Sequence, residues 1–194
     1  LRGKAGVVDL KQDFDQVMDP VTGEVKAWVG GIDFKTYKYD HANLKTKRQV
    51  GSTIKPLLYT QAMEERGFTP ETEVLDQQQT FGKNQLVPAT TRSCSGKTIT
   101  MASALTWSKN CASAFIMKQV GPEEFASFLQ RLNIPTKVDP FPSIALGACD
   151  LSLFEMMWSY TIFAGHGFST KPYFISRIED RNGKVLETFA KPVP

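Results

Sequence analysis

Two short runs of this 194-residue chain carry residue types and spacings that could do chemistry. They are Gly51-Ser52-Thr53-Ile54-Lys55-Pro56 and Ser108-Lys109-Asn110. Residues three apart on a helix share a face, so Ser52 and Lys55 can meet. A serine hydroxyl is a weak nucleophile and needs an adjacent base. Lysine is that base only when neutral. Its ordinary pKa of ~10.4 must therefore be pushed down by burial or by a neighbouring cation. Gly51 is expected to let the backbone approach closely before the serine. Pro56 has no N–H, so the Ser52 carbonyl loses its usual helical partner. Only a first turn tolerates that loss, which places Ser52 at a helix N-terminus. There the helix dipole and free N–H groups favour developing negative charge. Taken alone S-x-x-K is common, and a plain helix start with a capping serine and a solvated lysine reads the same way.

The elements that must position these runs follow from local signals. Val17-Met18 and residues 25–29 flank the turn Asp19-Pro20-Val21-Thr22-Gly23, which predicts a hairpin. Ile54, Leu57, Leu58, Gln61 and Ala62 have helical spacing, and Gly67 closes that helix. Thr100 is the expected N-cap of a helix over residues 101–107. Ser108-Lys109-Asn110 breaks it, and a second helix runs over 111–120 to Gly121. Pro122 opens a third over 123–132, and residues 151–164 form an apolar helix. Residues 174–179 and 185–189 around Asn182-Gly183 predict a second hairpin. The fold class is α+β, with helices in the middle and strands at both ends. Met156-Met157-Trp158 is read as core rather than as a ligand groove.

The order of several runs resembles the transpeptidase domain of bifunctional (class A) penicillin-binding proteins. Asp19-Pro20-Val21-Thr22-Gly23-Glu24-Val25 is similar to that family's opening hairpin, and Gly30-Gly31-Ile32-Asp33-Phe34 to its G-G-x-D-[FY] run. Asp40-His41-Ala42 and Lys47-Arg48-Gln49-Val50-Gly51-Ser52 lead into its S-x-x-K-P. Ser143-Ile144-Ala145-Leu146-Gly147-Ala148 and the stretch from Ser159-Tyr160 to Gly167 resemble its later runs. The resemblance covers residues 16–194; residues 1–15 match poorly. There are departures: Val50 stands for the usual proline, Asp40-His41 for Asn-Arg, and His166 for asparagine.

The resemblance implies the penicillin-binding transpeptidase and serine β-lactamase-like fold, a helical cluster against an antiparallel sheet. It implies a D,D-transpeptidase that cross-links peptidoglycan stem peptides ending in D-Ala-D-Ala and is the target of β-lactams. Ser52 would be acylated, Lys55 would take its proton, Ser108 would relay a proton to the leaving amine, and Asn110 would hold the substrate amide and orient Lys55. The Ser52 N–H would be one oxyanion donor. Ser52, Ser108 and Asn110 would also contact substrate, while Lys109, the variable middle of S-x-N, is expected to be exposed and expendable. No cofactor is implied. A glycosyltransferase domain and a membrane anchor would precede this segment, and the site would face the periplasmic side of the membrane.

The family's third motif, K-T-G or K-S-G, occurs nowhere in the 194 residues. It would lie on a strand beyond this segment and supply the second oxyanion donor and a cation near Lys55. The chain is therefore expected to be the N-terminal and central part of the domain, inactive by itself. Two other readings remain. A serine β-lactamase shares both motifs but needs a water-activating carboxylate. A non-catalytic module of the same fold needs neither.

The remaining features are less directive. The net charge of +3 is too small to argue for nucleic acid. Residues 35–48 read as a solvated loop. Cys94, Cys111 and Cys149 have no C-x-x-C spacing, so zinc and redox motifs fail. One disulfide is possible, but buried free thiols are the favoured expectation. His41 and His166 are too isolated for a metal site. Ser95-Gly96-Lys97-Thr98 imitates a phosphate loop but lacks its first glycine, because position 91 is Thr91.

Overall fold

The computed structural model describes residues 15–31, 35 and 38–189. The expected Ile32-Asp33-Phe34 run and residues 1–14 lie outside them. In chain order the elements are β1 (Asp15–Met18), β2 (Val25–Val29), β3 (Lys47–Gln49), a 3-10 turn (Gly51–Ile54), α1 (Lys55–Arg66), β4 (Glu73–Leu75), β5 (Gln79–Phe81), β6 (Gln85–Val87) and β7 (Thr98–Thr100). They continue with α2 (Met101–Thr106), α3 (Asn110–Val120), α4 (Pro122–Arg131), a second 3-10 turn (Pro142–Leu146), β8 (Asp150–Ser152), α5 (Leu153–Ala164), β9 (Arg177–Glu179) and β10 (Val185–Thr188). The chain divides into two compact units, one of residues 48–151 and one of the segments on either side. Among the described residues every sheet has two strands.

The unit of residues 48–151 is built around α3. Cys111, Ala112, Ser113, Ala114, Ile116 and Met117 are fully buried along it, so the helix is surrounded. It packs against α1, α4 and the second 3-10 turn. Leu57 and Leu58 on α1 and Phe125 and Leu129 on α4 are as fully buried. Full burial of one such side chain stabilises the fold by about 1.5–3 kcal/mol. This packing fixes α1 against α3, and so fixes the starts of both helices.

The ends of these helices obey local rules. Gly67 ends α1 at φ +66°, and its N–H bonds the Ala62 carbonyl. The Thr100 hydroxyl accepts from the Ser103 N–H at 3.2 Å, capping α2 as expected. Ahead of it β7 pairs antiparallel with β4, with Val74 opposite Ile99. β5 and β6 form a hairpin.

In the other unit β1 and β2 form the expected antiparallel hairpin. Asp19 Oδ1 accepts from the Val21 and Thr22 N–H groups at 2.9 and 3.0 Å, and these bonds hold its carboxyl below the usual carboxylate range. α5 starts two residues later than its apolar run, because Ser152 and Glu155 form a capping box. The Trp28, Phe154 and Phe174 rings pack together with centroids 5.4–6.0 Å apart. β9 and β10 form the second expected hairpin. The described residues of the 35–48 segment are mostly exposed, as expected, with two exceptions. Ala42 is fully buried and Thr46 nearly so, and the Thr46 hydroxyl bonds the Asp40 carbonyl at 3.0 Å. Among the described residues no helix is long and apolar enough to cross a membrane.

Candidate active site

Ser52 stands in the 3-10 turn that leads into α1, and Pro56 is the second residue of the α-helix. The expected loss of a partner for the Ser52 carbonyl is resolved locally: it accepts the Lys55 N–H instead, closing a tighter turn. Ser52 is exposed, and among the described residues its hydroxyl makes no hydrogen bond. Nucleophile–base bonds are often long in a resting site and tighten on substrate.

The Ser52 turn is clamped to the segment after the second 3-10 turn. The Val50 N–H bonds the Cys149 carbonyl and the Gly51 N–H bonds the Gly147 carbonyl, both at 3.1 Å. The glycine requirement is divided differently from the expectation. Gly51 has φ +55° and open space where a Cβ would stand, so it is needed for its backbone conformation. The close approach is made by Gly147.

Lys55 is 1% exposed. Its ammonium donates to three oxygens across the cleft: the Ser108 carbonyl at 2.7 Å, the Ser108 hydroxyl at 3.0 Å and Asn110 Oδ1 at 2.6 Å. All three acceptors are uncharged. Burial without a compensating carboxylate pushes Lys55 down to about 8. Ser108 lies at φ +50°, a left-handed conformation that is uncommon outside glycine. The kink presents both its carbonyl and its hydroxyl to the same ammonium. The structure thus brings Lys55, Ser108 and Asn110 into contact and leaves Ser52 at the head of the lysine's own turn.

Two expectations are corrected beside this cluster. Lys109 is not simply exposed: its side chain is 33% exposed and its Nζ lies 3.5 Å from Oδ2 of Asp76, whose side chain is fully buried. Cys94 and Cys111 are not free thiols but a disulfide, with Cα atoms 5.5 Å apart. Cys149 alone is free, and burial pushes its thiol up to about 11. The nearby Ser95-Gly96-Lys97-Thr98 run is no phosphate cradle. The Ser95 N–H is already bonded to the Asp76 carboxylate at 3.0 Å.

A cleft of about 340 Å3 opens here, lined by Arg92, Ser95, Trp107, Ser108 and Asn110 among others. Trp107 is 72% exposed at its edge. A second cleft of about 610 Å3 shares Cys94 and Ser95 with it and is walled by Gln77, Gln78 and Thr80. Neither Asp76 nor Trp107 was singled out from sequence. Asp76 carries no local pattern, and Trp107 sits next to S-x-N, where adjacency was the only available signal.

The family model described as "Penicillin binding protein transpeptidase domain" matches residues 16–194. The chain is 33% identical over 183 residues to Penicillin-binding protein 2D of Bacillus subtilis (strain 168), covering 92% of this chain and 26% of that protein. It is 33% identical over 181 residues to Penicillin-binding protein 1A of Escherichia coli (strain K12), covering 90% of this chain and 21% of that one. It therefore spans about a fifth to a quarter of the length of these relatives. The crystal structure of Penicillin-Binding Protein 1A from Haemophilus influenzae superposes with a TM-score of 0.80 at 28% identity, covering 90% of this chain and 26% of that one. With its helices and short antiparallel ladders in the penicillin-binding fold, and S-x-x-K facing S-x-N, the chain belongs to the penicillin-binding protein transpeptidase domain family.

Proposed function

We propose that this chain carries the nucleophile half of a serine D,D-transpeptidase that cross-links peptidoglycan stem peptides and is acylated by β-lactams. The observation that carries this reading is a buried lysine, held about 8 by desolvation, whose ammonium donates to three uncharged oxygens one turn after an exposed serine. A neutral Lys55 keeps two N–H bonds, to the Ser108 carbonyl and Asn110 Oδ1, and turns its lone pair to a hydroxyl. Ser52 Oγ attacks the carbonyl of the penultimate D-Ala, and its proton passes to Lys55. Ser108 relays a proton to the nitrogen of the departing D-Ala as the peptide C–N bond breaks. The amine of a second strand then attacks the ester, the new amide forms, and Ser52 recovers its proton.

The chain's own Ser52 N–H would act as one oxyanion donor, a role whose loss typically costs about 10²–10³ in rate. The disulfide fits an oxidising compartment, which supports an extracytoplasmic setting. Anchoring and an accompanying glycosyltransferase domain belong to the same proposal. Intact-mass spectrometry of the protein at its natural full length, after exposure to penicillin, tests the reading. A stable adduct that Ser52→Ala abolishes is expected. Rapid turnover of the adduct would mean a β-lactamase, and no adduct would mean a non-catalytic module.

A further inference from the structure

We propose that Asp76 and Lys109 form a positioning pair that holds the Ser108–Asn110 turn in the conformation that serves Lys55. The inference rests on the reading of Ser52, Lys55, Ser108 and Asn110 given above.

Ser108 is held at φ +50°. A non-glycine residue in such a conformation costs about 1–3 kcal/mol and persists only where its surroundings over-determine it. The surroundings can be identified. Before the turn, the Ser108 N–H bonds the Leu105 carbonyl at 2.9 Å and the Lys109 N–H bonds the Ala104 carbonyl at 2.8 Å. After it, the Ser113 hydroxyl donates to the Lys109 carbonyl at 2.9 Å, and the buried Tyr59 hydroxyl stands 3.1 Å from the Ser113 hydroxyl. These contacts fix the backbone of Lys109. Its side chain then runs to Asp76, beyond β4, with Nζ 3.5 Å from Oδ2.

Asp76 is not a casual surface partner. Its side chain is fully buried, and its Oδ2 also accepts the Ser95 N–H at 3.0 Å. Its backbone is tied to the same loop, accepting from the Gly96 N–H and donating to the Lys97 carbonyl, both at 2.9 Å. Among the described residues its buried Oδ1 has no hydrogen-bond partner. A buried carboxylate with an orphaned oxygen depends on its cation, because removing one partner of such a pair leaves an uncompensated charge. The Cys94–Cys111 disulfide already ties the loop of residues 76–97 to the residue after S-x-N, and the pair adds a tie to its middle residue. Lys109 points away from the chemistry, toward Asp76, while Ser108 and Asn110 on either side of it point to Lys55. A slack Lys109 would free Ser108 to leave its strained conformation, and the carbonyl and hydroxyl facing Lys55 would go with it.

The test is stopped-flow acylation of the full-length protein by a fluorescent penicillin, which separates reversible binding from the covalent step. Lys109→Met is expected to slow the covalent step about tenfold or more while reversible binding stays within about twofold, since small misplacements of catalytic groups cost this much. Lys109→Arg keeps the cation and is expected to restore most of the rate. On a Ser108→Ala background, which removes the hydroxyl but keeps the residue-108 carbonyl and Asn110 on Lys55, Lys109→Met is expected to slow the covalent step less than it does in the native protein, because part of its effect passes through that hydroxyl. Lys109→Met leaves the buried Asp76 unpaired, so a chain carrying both Asp76→Asn and Lys109→Met is measured beside it, with its melting temperature as the check on folding. That double variant is expected to melt near the native protein and to acylate as slowly as Lys109→Met. Acylation by the folded double variant within about twofold of native would overturn the inference, as would equal slowing by Lys109→Met with and without Ser108. A native protein that takes no adduct at all would overturn the reading of the site and the inference with it.

Discussion

Gly147 lies against Gly51 so closely that a Cβ on Gly147 would stand 1.9 Å from the Gly51 carbonyl oxygen. Gly147 is itself at φ +77°, so two constraints meet at one residue. Through this contact the end of the second 3-10 turn sets the height of the Ser52 turn.

The two glycines should therefore respond differently to a methyl group. Gly51→Ala meets only the left-handed penalty and is expected to cost about 1–2 kcal/mol. Gly147→Ala adds an overpacking clash to the same penalty and is expected to cost about 2–5 kcal/mol in all. Urea unfolding of the two variants compares them directly, and equal costs would mean that the contact is not tight.

Lys55 sets the pH dependence. The covalent step is expected to rise with pH through about 8, as the buried ammonium loses its proton. The stability dependence has the same sign. The folded-state pKa lies below the unfolded value of ~10.4, so between these two the unfolded chain binds more protons and stability increases with pH. Lys55→Ala is expected to slow acylation by about 10²–10⁴ with little effect on reversible binding. Because the cation that the third motif would supply lowers Lys55 further, an acylation profile flat all the way from about pH 5 to 9 would remove Lys55 from the role of base.

Ser108 trades stability for function. Ser108→Gly relieves the left-handed backbone and is expected to be about 1 kcal/mol more stable than Ser108→Ala. Both lose the hydroxyl that faces Lys55, and both are expected to acylate slowly. Thermal melts of the pair, read beside their labelling rates, separate the two effects.

The Cys94–Cys111 link spans 17 residues. Replacing both cysteines by alanine is expected to lower stability by about 2–4 kcal/mol through the greater freedom of the unfolded chain. Thiol titration of the denatured, unreduced protein should find one thiol, Cys149, of the three cysteines. Three thiols before reduction would show that the link does not form.

Local interactions account for what the sequence determined by itself. The Asp19–Gly23 turn, Thr100 as a cap, Gly67 and Gly121 as stops and Pro122 as a start all act between residues a turn apart, where the amino-acid type decides the outcome. Ser52 at the head of a helix followed from Pro56 for the same reason. The β1–β2 and β9–β10 hairpins were legible from turn chemistry and flanking apolar runs. What only the tertiary structure decided are the contacts between distant segments. Lys55 meets Asn110 because α1 packs on α3. Burial then removes the water that would have kept its charge, and neither fact is written in S-x-x-K. The Cys94–Cys111 pairing, the reach of Lys109 to Asp76 and the clash reserved at Gly147 depend likewise on which surfaces close on one another. Side-chain identity fixes what a residue can do, but its neighbours across the core determine its pKa, its partner and whether it can be spared.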